Sequence, residues 1–251
     1  MPDYKPNNKD FINLPKQDIE KYKVFARDVL GVEFKNIALL ITAFTHRSYV
    51  NEHKKTVFHH NERLEFLGDA VLELVVTEYL YNNFDEQEGV LTNWRSALVR
   101  TESIGAAADE ANFVELLRLS RGEKRGTDRA KAQILANSYE AVLGALYIDQ
   151  GYDPAKKYIK KSILSKLPEI LATGSWMDAK SRLQELAQSR ENSTPVYRVL
   201  DEQGPDHEKT FTVGVFVSGK LRGKGTGYSK QIAQQQAAEK ALTAFQPSEK
   251  N

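Results

Sequence analysis

Between Ile19 and Leu171 apolar residues return every three or four positions, with almost none of the every-second-residue alternation of a half-buried strand. This spacing predicts helices over about residues 17–30, 36–44, 60–82, 92–111, 130–150 and 154–171. The connectors 82–89 and 122–128 are rich in Asn, Asp and Gly, which favour turns. After Ala172 the pattern changes. Thr173, Gly174 and Ser175 read as a linker, and a short helix is expected over 179–188. Three strand-like runs follow at 196–200, 210–217 and 220–227, the second alternating through Phe211, Val213, Val215 and Val217. An Ala- and Gln-rich helix is expected over 229–245. The expected architecture is an all-α N-terminal domain at 1–172 with a polar lead-in at 1–15, a linker at 173–177, and a small α+β domain of order α-β-β-β-α at 178–246.

Composition narrows the classes. The chain has 251 residues, no cysteine, 41% hydrophobic and 27% charged residues, as in an ordinary globular protein. Disulfide scaffolds and thiolate metal sites are therefore excluded. The longest apolar runs, 38–44 and 141–148, fall far short of the roughly 20 residues of a membrane span. Residues 1–15 lack an apolar signal core, so a cytoplasmic protein with no membrane partner is expected. Total charge is balanced, 35 Lys plus Arg against 34 Asp plus Glu. A local bias remains: between Lys220 and Lys240, five basic residues face Glu239 alone, which suggests a polyanion contact.

The most informative segment runs Asn61-Glu62-Arg63-Leu64-Glu65-Phe66-Leu67-Gly68-Asp69-Ala70-Val71. At about 100° per residue, Glu62, Glu65, Asp69 and Glu73 fall in one narrow arc, and apolar residues occupy nearly all the rest of the circumference. Such a helix is expected in the interior. Carboxylates fixed on it need a positive partner, and a hard divalent cation such as Mg²⁺ suits clustered oxygens. A second helix around Ile134 to Tyr147 repeats the arrangement, with Asn137 and Glu140 sharing a face with Ala141 and Gly144. Packed face to face, the two would gather four or five oxygen donors. His46, His53, His59 and His60 suggest a rival histidine-based phosphohydrolase, but no His-Asp dipeptide supports it. Gly223, Gly225 and Gly227 mimic a dinucleotide-binding loop, yet the chain ends before the parallel strand that would complete a βαβ unit. No nucleotide cofactor is expected.

The segment from Asn61 to Val71 resembles the signature of ribonuclease III, the double-stranded RNA endonuclease. Thr45 to Tyr49 with Asn51 and Glu52, Glu88-Gly89, and Ile134 to Asp149 resemble further blocks of that family in their order. The α-β-β-β-α tail is similar to its double-stranded RNA-binding domain. The resemblance implies a homodimer that cuts double-stranded RNA with Mg²⁺, for which Mn²⁺ can substitute. It implies 5′-phosphate and 3′-hydroxyl products and a role in processing ribosomal, messenger and other structured RNA. It implies that Glu65, Asp69 and Glu140 are metal-site residues, Asp69 and Glu140 the catalytic pair, with Glu62 and Glu88 in support. The family's last block usually carries Asp three residues before its Glu, whereas this chain has Asn137. Asn137 would be a weakened ligand, and a catalytically impaired RNA-binding scaffold is the alternative reading. Phe66 and Leu67 are candidates for the dimer interface.

For the small domain, the resemblance implies that Ser181, Gln184, Glu185 and Gln188 face one minor groove and His207 enters the next. Ser229, Lys230, Gln231 and Gln234 would meet the phosphates between them. Where Lys is usual, Gln231 and Gln234 leave Lys230 to carry the charge, so weaker and less salt-sensitive binding is expected.

Overall fold

The structure is a computed structural model, and it describes residues 15–174, 176, 179–205 and 209–245. The chain divides into two compact units, one ending at Ala172 and the other beginning at Thr173. Among the described residues no helix is long and apolar enough to cross a membrane.

The first unit is helical: α1 Lys16–Phe25, α2 Ile37–Ala43, α3 Arg47–Glu52, α4 Glu62–Asn83, α5 Glu88–Val99, α6 Thr101–Glu110, α7 Asp128–Gln150, α8 Tyr152–Ser162 and α9 Leu167–Thr173. A π-helical turn, Ala26–Leu30, extends α1 and ends at Gly31, whose left-handed φ of 72° turns the chain out of the helix. The 22-residue α4 and 23-residue α7 form the centre of this unit. They approach so closely that a Cβ on Gly68 would stand 1.7 Å from the Glu140 carbonyl oxygen, and one on Gly144 would stand 2.2 Å from that of Leu64. Main chain meets main chain there, and only glycine permits it. Around the crossing, Leu72, Val75, Val76, Val142, Leu143 and Leu146 are fully buried. Phe25, Phe44 and Phe113 pack edge to face at 5.0–5.3 Å, and Tyr139 stacks on Phe113 at 6.1 Å. At the far end of α7, the buried Asp149 carboxylate accepts the backbone N–H groups of Lys35 and Asn36, both at 2.8 Å, tying α7 to the start of α2.

Four expectations need correcting. The helix expected over 154–171 is two, α8 ending at Ser162 and α9 beginning at Leu167. α4 is interior on one side only: Glu62, Asp69 and Glu73 are exposed along one edge of its outer half, while Phe66, Leu74 and Tyr81, 81%, 58% and 78% exposed, run along the other. The helix expected over 92–111 begins at Glu88 and breaks at Arg100, whose extended backbone (ψ 152°) separates α5 from α6. The short α3 was not expected; its first turn is capped by the His46 ring, which accepts from Ser48 N.

The second unit runs α10 Ala179–Glu191, β1 Val196–Gln203, β2 Thr210–Val217, β3 Lys220–Gly227 and α11 Lys230–Phe245. Its sheet is antiparallel in the order β1-β2-β3. Ser218 and Gly219, at φ 50° and 75°, close the tight β2–β3 turn, as the strand twist of a two-residue hairpin requires. Val213, Val215 and Val217 of β2 and Leu183 and Ala187 of α10 are fully buried. The glycines of β3 have a packing cause. A Cβ on Gly223 or Gly225 would lie 2.3 or 2.2 Å from the carbonyl oxygens of Ala237 or Ala233 on α11. Strand and helix touch through their backbones, which explains the apparent nucleotide-loop pattern.

Candidate functional site

The Gly68–Gly144 approach fixes where the acidic residues stand. Glu65 lies one turn before Gly68 and Asp69 directly after it on α4, and Glu140 lies one turn before Gly144 on α7. Their electrostatics show that they share a neighbourhood. Burial pushes the Glu140 carboxyl up to about 7, and the charges of Asp69 and Glu65 add to the rise. Glu65 is raised as well, first by burial and then by Glu62 and Asp69. Every one of these causes disfavours the charged form, so the cluster is held at an electrostatic cost in the protein alone. Among the described residues, no three His, Cys, Asp or Glu side chains already converge as a ligand set.

Glu62 and Glu88 differ from that cluster and from each other. Glu62 is exposed and stands 3.6 Å from Arg47 and 3.7 Å from the His60 ring. Glu88 opens α5 and lines a separate cavity of about 750 Å³ with Thr77, Tyr81, Phe84, Glu86 and Arg95, a set that contains none of Glu65, Asp69, Asn137 or Glu140. Half-buried Asn137 has its side-chain oxygen engaged: Gln133, one turn earlier, donates to Oδ1 at 2.7 Å. The histidines do not gather. His53 stacks on Tyr49 at 4.0 Å, and the His46 ring contacts the Ser48 hydroxyl at 2.8 Å.

In the second unit, Ser181, Gln184, Glu185 and Gln188 are exposed along one side of α10. Ser181 and Gln184 line a cleft with Gln231 and Gln235 of α11, Pro195, Tyr197 and Lys180. His207 lies outside the described residues. Ser229 Oγ accepts from Ile232 N at 3.2 Å, so it serves to cap α11. Lys230 pairs with Glu202 at 3.4 Å and lies over the Phe211 ring at 5.4 Å. Gln234 accepts a hydrogen bond from Lys180 at 2.9 Å.

The comparisons with known proteins agree with this anatomy in both units. A model of ribonuclease-III-like proteins matches residues 36–167, and a model of the double-stranded RNA binding motif matches residues 179–244. Ribonuclease 3 of Oceanobacillus iheyensis is 46% identical over 220 residues, 86% of this chain and 95% of that protein. The chain belongs to the ribonuclease III family. Ribonuclease 3 of Enterococcus faecalis is also 46% identical, over 86% of this chain and 94% of its own length. The solved nuclease domain of ribonuclease III from Campylobacter jejuni is 39% identical, with a TM-score of 0.51 over 57% of this chain and 97% of that one. That structure was described for flexibility in a region involved in its dimer formation.

Membership in the ribonuclease III family sharpens what the sequence left unread. Arg47 and His60 stand beside Glu62, and Gln133 holds Asn137. The Gln133 contact had a signal in the sequence, since residues four apart share a helix face. The Arg47 contact had none, because α3 and the start of α4 meet only in the fold.

Proposed function

We propose that this ribonuclease III family member is an endoribonuclease that hydrolyses double-stranded RNA with Mg²⁺, leaving 5′-phosphate and 3′-hydroxyl ends. The observation that carries the metal part is that Glu65 and Glu140, half-buried beside Asp69 at the α4–α7 crossing, are both raised by burial and by neighbouring carboxylates, a cost that a divalent cation would relieve. The donor set suits a hard ion: three carboxylates on two helices that touch at Gly68 and Gly144. Glu65, Asp69 and Glu140 would hold it. When bound, Mg²⁺ supplies positive charge to these carboxylates and to the phosphate oxygens on which charge builds. Glu140, raised to about 7 by burial and by Asp69 and Glu65 in the protein alone, would be drawn to its charged form by the bound cation. Asn137 contributes a dipole in place of a charge, and Gln133 orients it. Arg47, close to Glu62 at the exposed edge of the cluster, offers a cation to an RNA phosphate.

The exposed row of Phe66, Leu74 and Tyr81 on α4 supports a homodimer. A two-fold pair of sites matches the two antiparallel strands of a duplex, and closed two-fold dimers are the commonest oligomer. A cytoplasmic role in maturing ribosomal and other structured RNA is part of the same reading. The scaffold alternative is not favoured, because the carboxylates are kept at an electrostatic cost that binding alone does not require.

The test incubates a long RNA duplex with Mg²⁺ and compares the protein with Asn137→Asp and Glu140→Gln. Slow cleavage by the protein, faster by Asn137→Asp and almost none by Glu140→Gln is expected. Binding without cleavage by all three would overturn the proposal.

A further inference from the structure

We propose that His60 is a positioning residue that takes over the Glu62 carboxylate and so frees Arg47 to hold an RNA phosphate. The proposal rests on the reading of the first unit as a duplex-RNA endonuclease. Glu62 opens α4, and its two carboxylate oxygens face two different groups: Oε1 stands 3.6 Å from Arg47 Nη1, and Oε2 stands 3.7 Å from His60 Nδ1. Both distances are just longer than a hydrogen bond, so the carboxylate is shared between the two groups and bound fully by neither. The Arg47 and Glu62 side chains are 66% and 49% exposed, open to an arriving RNA strand. His60 Nδ1, by contrast, is buried and has no hydrogen-bond partner among the described residues. The backbone holds the three together: Asn61 N donates to Thr45 O at 2.9 Å, joining the residue before Glu62 to the segment that leads into α3 and Arg47.

A buried ring nitrogen without a partner is costly, and Glu62 Oε2 is the acceptor beside it. The neutral ring with its proton on Nδ1 can donate, so no ionisation is needed. An arginine shared with a carboxylate offers a phosphate less than its full charge. A shift of a few tenths of an ångström brings Glu62 into hydrogen-bond range of His60 and lengthens its contact with Arg47, whose planar fork then turns to the phosphate oxygens. The phosphate so held lies beside the acidic cluster, because Glu62 is near enough to Glu65 for its charge to raise that carboxyl.

The experiment follows single-turnover cleavage of an RNA duplex by the full chain in Mg²⁺, with protein in excess and KCl varied, and separates the half-saturating protein concentration from the plateau rate. In His60→Ala the half-saturating concentration is expected to rise severalfold and its salt slope to fall by about one, with a smaller change in plateau rate. His60→Asn, whose amide nitrogen replaces Nδ1, should keep the parental slope, whereas His60→Gln, whose amide nitrogen replaces Nε2, should behave as His60→Ala. Arg47→Gln should lose the same contact, and adding His60→Ala to it should cost nothing more. Glu62→Gln removes the competing charge and should return the parental slope to His60→Ala. An unchanged slope in folded His60→Ala, equal behaviour of His60→Asn and His60→Gln, or additive losses at Arg47 and His60 would overturn the assignment. If His60→Ala does not fold, His60→Asn and His60→Gln decide. A folded parent that neither binds nor cuts duplex RNA would instead remove the endonuclease reading, and this assignment with it.

Discussion

A methyl group on Gly68 would stand 1.7 Å from the main-chain carbonyl oxygen of Glu140, well inside any allowed contact. The same glycine that lets α4 touch α7 therefore sets the spacing of the carboxylates on either side. Gly68→Ala must force the helices apart, and overpacking of this severity costs about 3 kcal/mol or more. The expected result is a lowered Tm together with cleavage reduced beyond what the folded fraction explains. A variant with parental Tm and parental rate would show that the crossing does not govern the site.

Glu140 should make the metal-free protein less stable as pH rises. Its carboxyl titrates at about 7 in the folded chain against an ordinary value of 4.5, so between those values the folded state holds a proton that the unfolded state has released. Stability is lost across that window and stays lost above it. In EDTA, Glu140→Gln should match the parent near pH 4.5 and melt at a clearly higher temperature at pH 8. Thermal unfolding followed by circular dichroism checks this, and a gap between the two proteins that does not change with pH would contradict it.

Asn137→Asp adds a negative charge to a cluster already raised by its own repulsion. Without metal it should lower Tm, and with Mg²⁺ it should raise the cleavage rate by roughly tenfold, the scale of a change beside a metal site. Gln133→Ala removes the 2.7 Å hydrogen bond to Asn137 and should slow the parent severalfold, yet leave Asn137→Asp almost unaffected. Single-turnover rates of the four proteins close this double-mutant cycle; additive effects would separate Gln133 from Asn137.

Phe66→Glu places a charge in the exposed apolar row of α4. It should shift the protein from dimer to monomer in sedimentation velocity, with little change in Tm measured on the monomer, since Phe66 is 81% exposed within one chain. A variant that remains a dimer would place the interface elsewhere.

How much of this could be read from the sequence depends on the range of the interaction involved. The acidic arc of Glu62, Glu65 and Asp69 is a property of one helix, and helical spacing was enough to find it. The pairing of α4 with α7 was suggested by small residues beside the acids, and Gly68 and Gly144 prove to be the contact. Periodicity read α4 as interior nearly all round, although Phe66 was also a candidate for the interface, because hydrophobicity alone does not separate a side chain that packs within the chain from one left open to a partner. The break at Arg100 escaped for a different reason: no Pro or Gly marks it, and apolar spacing continues across it into α6. Lys180 and Gln234 lie 54 positions apart, and Thr45 and Arg118 lie 73 apart, so only the folded chain brings them together.

The backbone contact between β3 and α11 holds that helix through its alanines and leaves its far side outside the seat. Because Gly223 and Gly225 seat the helix through Ala237 and Ala233, its outward residues can be exchanged without disturbing the seat. Substitutions among those outward residues can therefore retune the surface charge of the helix while the strand keeps its hold on it.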